Sequence, residues 1–355
     1  MAKHKKRTAP AHRSADSKDL PPGWIRARGP GRIPVQAHSK LGTMALSEEV
    51  DDELKGLFEK YGASEEQQSL FFKMQKLTNM PDVFHRHASH EQILWAVLVG
   101  SAELPEKPTA SDVSFCARKI EERLRNLDEA EKRFKWFSAE WTKPLMQQMI
   151  RNWFCGSLVI CPELSTSTGS PIQFVREYYG DDIGYPTPEG QTDEWKEFQR
   201  SLYVLMARST CLAYPMATAR GIVSFSDMQD FDWAKYDMES KSRNSDVTQL
   251  VPNRLTRMIA FHPDDKMIKF YQDMGARARK KWGFEQYATF ADAVAGEKDF
   301  LPEKLPSFVG GTYEVDVLQC LKYLFRREPE ALALMEATYA EMEAAKEIPK
   351  PKHMR

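Results

Sequence analysis

A histidine and two aspartates follow an apolar segment in the second half of the chain, Met258-Ile-Ala-Phe-His262-Pro-Asp264-Asp265. Imidazole and carboxylate groups can bind Zn²⁺, and a carboxylate beside a zinc-bound water can act as a general base. Such a site needs a third protein ligand, and His353 is the only later histidine. Lys266 would also place a positive charge beside the metal. We therefore interpret the segment as a turn that begins a helix, with Asp264 or Asp265 near its N-terminus.

The same segment resembles the HPDDE motif of GlcNAc-type zinc deacetylases. The resemblance implies that a histidine and one aspartate bind zinc and that the other aspartate is the base. Lys266 stands where that motif ends in glutamate, and the segment comes late in the chain, whereas that family has its motif on the first strand. A zinc-dependent deacetylase-like hydrolase is an alternative function, but we predict no metal site and no catalytic residue.

Two other polar clusters have ligand-type side chains without a recognisable metal spacing. His85, His87 and His90 are close in sequence, and a further group comprises Asp227, Asp230 and Asp232. We interpret the first as surface or capping histidines and the second as a solvated loop. The sequence contains no GxSxG elbow, Walker loop or GxGxxG motif. We therefore predict no cofactor.

Composition narrows the class of partner. The 355 residues include 50 Lys and Arg against 51 Asp and Glu, so no overall charge attracts nucleic acid, and we predict no nucleic-acid partner. The longest apolar run, residues 93–100, is far below the ~18 residues of a membrane span. The basic start MAKHKKRTAP has no apolar segment behind it. The five cysteines form an odd set without a metal-binding spacing, which favours reduced thiols and a cytoplasmic location.

Hydrophobic periodicity divides the chain into four regions. Residues 1–45 read as a disordered basic tail, 48–150 as a helical region, 151–316 as a domain of alternating helices and strands, and 317–355 as a C-terminal helix and tail. We predict a helix over 194–214 and strands over 221–226 and 255–261. Alternation of this kind requires crossover connections, so the fold class is α/β with a mostly parallel sheet.

Several segments, taken in order, resemble the CRAL-TRIO lipid-binding family. The resemblance runs from Val113 to Asp316 and is carried by LPEK with GGT and Asp316, by a YPER-like VPNR, by an element similar to T-x-x-K-I, and by a strand that ends in Asp-Met. These segments are 301–304 with 310–312, 251–254, 276–282 and 221–228.

The resemblance implies a sheet floor, covering helices, a gating helix and an apolar cavity. The candidate gate is 283–296. The expected lipid-binding residues are Val223, Phe225, Asn253, Phe270, Met274, Lys281, Phe284, Tyr287, Phe290 and Val294. Lys281 with its basic neighbours suits a phosphate headgroup, although Asn253 replaces the family's glutamate, so phosphatidylinositol and another hydrophobic ligand both remain open. The expected function is non-enzymatic binding and transfer of one lipid, with transient contact to a membrane surface. A scaffold that kept the fold but lost the cavity is a further alternative.

Overall fold

The computed structural model describes the helices and strands of the chain with gaps between them. The described residues are 52–78, 90–102, 126–127, 129–166, 169–176, 186, 188–228, 255–261, 264–266, 268–269, 283–289, 291–292, 295, 303, 305–307 and 311–349.

Helices dominate both ends of the described chain, and strands occupy its middle. The helices are α1 Asp52–Tyr61, α2 Glu65–Thr78, α3 His90–Gly100, α4 Lys143–Phe154, α5 Asp193–Ala213, α6 Pro215–Ala219, α7 Val317–Phe325 and α8 Pro329–Ala344, with a 3₁₀ turn at Pro188–Gly190. The strands are β1 Val159–Ser165, β2 Pro171–Arg176, β3 Ile222–Asp227, β4 Leu255–Phe261 and β5 Gly283–Tyr287. Residues 126–127 and 129–134 are also helical. The predictions for α5, β3 and β4 and the prediction of helix after residue 317 are confirmed.

The described strands form one mixed sheet in the order β1-β2-β3-β4-β5. Only β1 runs antiparallel to its neighbour, and the pairs β2–β3, β3–β4 and β4–β5 are parallel. Two consecutive parallel strands need a crossover between them, and α5 lies in the one that joins β2 to β3. The predicted α/β class with a mostly parallel sheet is therefore confirmed.

Two hydrophobic clusters share helix α5. One contains buried residues of α1, α2 and α3 together with Trp136, and the other joins the sheet to α4, α7 and α8. Leu202 and Leu205 belong to the sheet cluster, whereas Val204 and Ala207 belong to the helical cluster. The second half of α5 therefore has no solvent-exposed polar face, because hydrophobic clusters bury it from two sides.

A buried ion pair ties α5 to the start of α8. Arg208 donates from Nε to Glu328 Oε1 at 3.0 Å, and its Nη2 lies 2.8 Å from the same oxygen. Arg208 Nη1 also donates to the carbonyls of Trp136 and Ala139, at 3.1 and 2.6 Å, and Ser209 donates to Glu328 Oε2. Both charged residues are only 9% exposed, so each depends on the other and on these polar neighbours.

The structure corrects the prediction of a helical gate. The proposed gate, residues 283–296, begins with strand β5 instead of a helix, and Gly283–Tyr287 pair in parallel with β4. Arg257 of β4 holds Glu285 of β5 with an Nη2–Oε1 distance of 2.8 Å. Aromatic residues such as Phe284 and Tyr287 favour a pleated backbone, and the edge of β4 supplies the hydrogen-bonding partner. This part of the segment is the last strand in the described sheet and not a helical lid.

Pro144 stands at the beginning of a helix. It lies in the first turn of α4, where the missing proline N–H interrupts no hydrogen bond. Residues 135–142, which include Trp141, are not helical.

Candidate functional site

The central strands present two chemically different faces, because neighbouring side chains on a strand point to opposite sides. Parallel register pairs Phe174 with Phe225 and Phe225 with Ile259, so these side chains share one face. We call this the core face, and its members are Ile172, Phe174, Val223, Phe225, Ile259 and Phe261. The opposite face, which we call the serine face, carries Gln173, Val175, Ser224, Ser226, Met258 and Ala260.

The core face is filled by the protein's own side chains. Val223 and Phe225 are 3% and 0% exposed and belong to the cluster that includes Met149 of α4, Leu205 of α5 and Leu321 of α7. Phe174 and Phe225 pack with ring centroids 5.9 Å apart. Val223 and Phe225 were expected to line a lipid cavity, but they stabilise the packing between sheet and helices.

The serine face is buried without belonging to either hydrophobic cluster of the described residues. Ser224 and Ser226 are 1% and 0% exposed, and Met258 and Ala260 beside them are also buried. Gln173 and Val175 on β2 are half-buried. Ser224, Ser226 and Ala260 make this part of the serine face less bulky and more polar than the core face.

Ser224 and Ser226 have one hydroxyl proton between them that finds no acceptor among the described residues. Ser224 Oγ and Ser226 Oγ lie 3.2 Å apart and bond to each other. Two hydroxyl groups carry two protons, and the bond between them uses one. Within the described chain neither hydroxyl makes a further hydrogen bond. A buried donor without an acceptor costs about 1–3 kcal/mol, so this position favours a ligand oxygen.

An ion pair marks the carboxyl ends of β2 and β3. Arg176 and Asp227 are opposite one another in the parallel register, with Arg176 Nε 3.5 Å from Asp227 Oδ2. Both side chains are almost fully buried, which requires that their charges compensate one another. The carboxyl edge of a parallel sheet is where ligands bind in α/β folds, so this pair lies at a position typical of polar ligand contacts.

Of the other expected lipid-binding residues, two lie in strand β5 and the rest lie outside the described residues. Tyr287 ends β5, is half-buried and packs against the sheet cluster, and Phe284 lies in the same strand in register with Met258. Asn253, Phe270, Met274, Lys281, Phe290 and Val294 lie outside the described residues.

The aspartates considered for zinc chemistry lie on the surface. Asp264 and Asp265 are exposed, and the Asp264 carbonyl accepts from Ile268 N–H at 2.9 Å as a helical turn begins. That agrees with the interpretation of this segment as a helix start. No three potential metal ligands converge anywhere in the described ranges. His262 lies outside them.

The GGT segment has a structural role that its spacing alone did not reveal. A Cβ on Gly311 would lie 2.0 Å from the Leu305 carbonyl oxygen, so only glycine fits there. Tyr313 N–H donates to the same carbonyl at 2.9 Å, which closes the turn. Asp316 then caps α7, its carboxylate accepting from Gln319 N–H at 3.0 Å.

Sequence reasoning missed the serine pair, although its signal was present. The segment Val223-Ser-Phe-Ser226 alternates apolar and hydroxyl side chains with a period of two, which separates them onto two faces. The apolar members were assigned to the ligand because lipid cavities are apolar, yet these members pack against helices.

Comparison with known proteins adds no assignment. No protein-family model matches the chain, and a search of curated proteins gives no match. No helix in the described part of the chain is long and apolar enough to cross a membrane.

Proposed function

We propose that the chain binds and transfers or presents one hydrophobic or amphipathic lipid, with the ligand lying against the serine face. The observation that carries the proposal is the buried Ser224–Ser226 pair, which retains one hydroxyl proton after its internal hydrogen bond. An ester or carboxyl oxygen of a lipid can accept a hydrogen bond from that hydroxyl group. The resemblance to CRAL-TRIO proteins and the mostly parallel sheet support the same class of ligand.

The neighbours of the serine pair suit the apolar part of such a molecule. Met258 and Ala260 flank the serines on β4 and are buried outside both hydrophobic clusters. Each methylene that a ligand removes from water contributes about 0.8 kcal/mol. One hydroxyl hydrogen bond contributes about 0.5–1.5 kcal/mol, so apolar burial would supply most of the affinity and the serines would set the orientation.

The experiment combines ligand uptake with a stability measurement. Uptake of fluorescent phosphatidylcholine and of a fluorescent fatty acid from vesicles is measured for the native chain and for Ser224→Ala/Ser226→Ala. We expect affinity to fall about two- to tenfold in the double variant, the loss of one neutral hydrogen bond. The free energy of unfolding of the unliganded protein should stay the same or rise, because the variant removes both partners of the internal bond together with the buried donor that has no acceptor.

Ser165→Ala provides the matched control, because Ser165 is an exposed strand residue at the end of β1. It should retain native uptake. Equal affinity for the double variant and the native chain would contradict the role of the serine face. A native chain that takes up neither probe would contradict lipid binding for these two lipid classes and favour the scaffold alternative.

A further inference from the structure

The charged residues of the parallel strands all lie on one side of the sheet. Within their described ranges, strands β2 to β5 contain Arg176, Asp227, Arg257 and Glu285. Each of the four is aligned across the sheet with a residue of the core face. Register partners on neighbouring strands share a face, so these charged residues lie on the side opposite the serine face.

The four charged residues form two ion pairs. Arg176 Nε lies 3.5 Å from Asp227 Oδ2, and Arg257 Nη2 lies 2.8 Å from Glu285 Oε1. Each pair contains one cation and one anion, so these strands carry no net positive charge that could attract an anion through the sheet.

The serine face of the same four strands is neutral. Register on β5 continues it, since Phe284 is aligned with Met258 and Gln286 with Ala260. Its polar groups on the described strands are therefore hydroxyls and amides, from the two serines and from Gln173 and Gln286. The centre of this face is buried, Gln173 at one side is half-buried, and Gln286 at the other side is exposed.

The hydrogen-bonding capacity of the serine pair matches a single oxygen atom. One of the two hydroxyl protons is used in the bond between Ser224 and Ser226, which leaves one proton for a ligand. An ester carbonyl, an aldehyde, an ether or a hydroxyl group is satisfied by one donor. An ionised carboxylate has two oxygens that accept several hydrogen bonds, and a phosphate has more.

Burial makes this difference decisive. Ser224 and Ser226 are 1% and 0% exposed, so a ligand atom in contact with them is also removed from water. Removing an anion from water without a cation or several donors costs far more than removing a neutral carbonyl group.

We infer that the ligand group held by Ser224 and Ser226 is uncharged, and that the serine face discriminates against an ionised carboxylate or phosphate at this position. The inference rests on the proposed function and adds the chemical class of the group that contacts the serine pair. Charged groups elsewhere on a ligand are compatible with it.

The test compares two ligands that share one acyl chain, methyl oleate and oleate, at about pH 8.5, well above the ordinary pKa of a carboxyl group. Each is titrated to displace a fluorescent fatty-acid methyl ester from the native full chain. We expect methyl oleate to bind at least about tenfold more tightly than oleate, because the carboxylate would be buried without a cation.

Gln173→Lys should change this selectivity. It adds a cation in register with Ser224, at a half-buried position where a lysine side chain can be accommodated. Oleate should gain about tenfold in affinity relative to methyl oleate, through a charge-assisted hydrogen bond, while binding of methyl oleate shows that the variant is folded. Gln319→Lys is the matched control, because it adds the same charge at an exposed position of α7, and it should keep the native selectivity.

The outcomes separate this inference from the proposed function. Oleate binding to the native chain as tightly as methyl oleate would overturn the inference and leave lipid binding intact. A native preference for the ester that a folded Gln173→Lys leaves unchanged would also overturn it, since the selectivity would then arise away from the serine face. If the native chain binds neither the fluorescent ester nor oleate, the proposed function is contradicted, and this inference with it.

Discussion

Replacing Arg208 by methionine should destabilise the fold by about 3–5 kcal/mol, the usual effect of removing one partner of a buried ion pair. The structure explains the size of this effect. Arg208 lies within hydrogen-bonding distance of Glu328 through two nitrogens, and it also donates to the Trp136 and Ala139 carbonyls. Methionine fills most of the volume but leaves the Glu328 carboxylate buried with Ser209 as its remaining donor.

Urea unfolding followed by tryptophan fluorescence measures this change, because several buried tryptophans report on both clusters. Arg208→Met/Glu328→Gln should be more stable than Arg208→Met alone, since the uncompensated carboxylate is gone. Lys143→Met serves as control because the Lys143–Glu341 pair is half-exposed, and it should cost at most about 1 kcal/mol. A loss below about 1 kcal/mol in Arg208→Met would refute the assignment of this pair as a buried tie between α5 and α8.

Two further stability predictions follow from the C-terminal segment. Gly311→Ala should destabilise the protein by about 1–3 kcal/mol in urea unfolding, because the new Cβ would lie 2.0 Å from the Leu305 carbonyl oxygen. Gly56→Ala in α1, where nothing lies within 4 Å, should instead stabilise by about 0.5–1 kcal/mol, and the opposite order would contradict the close approach at Gly311. Asp316→Ala should cost about 0.5–2 kcal/mol through the lost cap of α7, whereas Asp316→Asn should retain most of it. Equal losses in both would show that the Asp316–Gln319 bond does not act as a cap.

Helices and strands whose apolar residues repeat at a regular spacing could be predicted from the sequence, and those with an interrupted pattern could not. Helix α5 and strands β3 and β4 were predicted within one or two residues because their apolar positions repeat at helical or strand spacing. Strand β1 was missed because Pro162 and Glu163 interrupt its apolar run, and its pairing with β2 is irregular between Ile160 and Ser165. Strand β5 was missed because its conformation depends on the open edge of β4, a long-range partner that no local pattern reveals.

The candidate site shows the same limit. Alternation in β3 separates Val223 and Phe225 from the two serines, but which face meets the helices depends on packing with α4, α5 and α7. The Arg208–Glu328 ion pair could not be predicted from any local pattern either. Both oxygens of Glu328 bind residues that lie more than a hundred positions earlier in the chain, Arg208 and Ser209.

Mass spectrometry of organic extracts from the purified, natively folded chain tests the central claim most directly. We predict one lipid class in near-stoichiometric amount from the native chain and a reduced amount from Ser224→Ala/Ser226→Ala purified in the same way. An extract of the native chain that contains no lipid above a control protein would contradict lipid binding at the serine face.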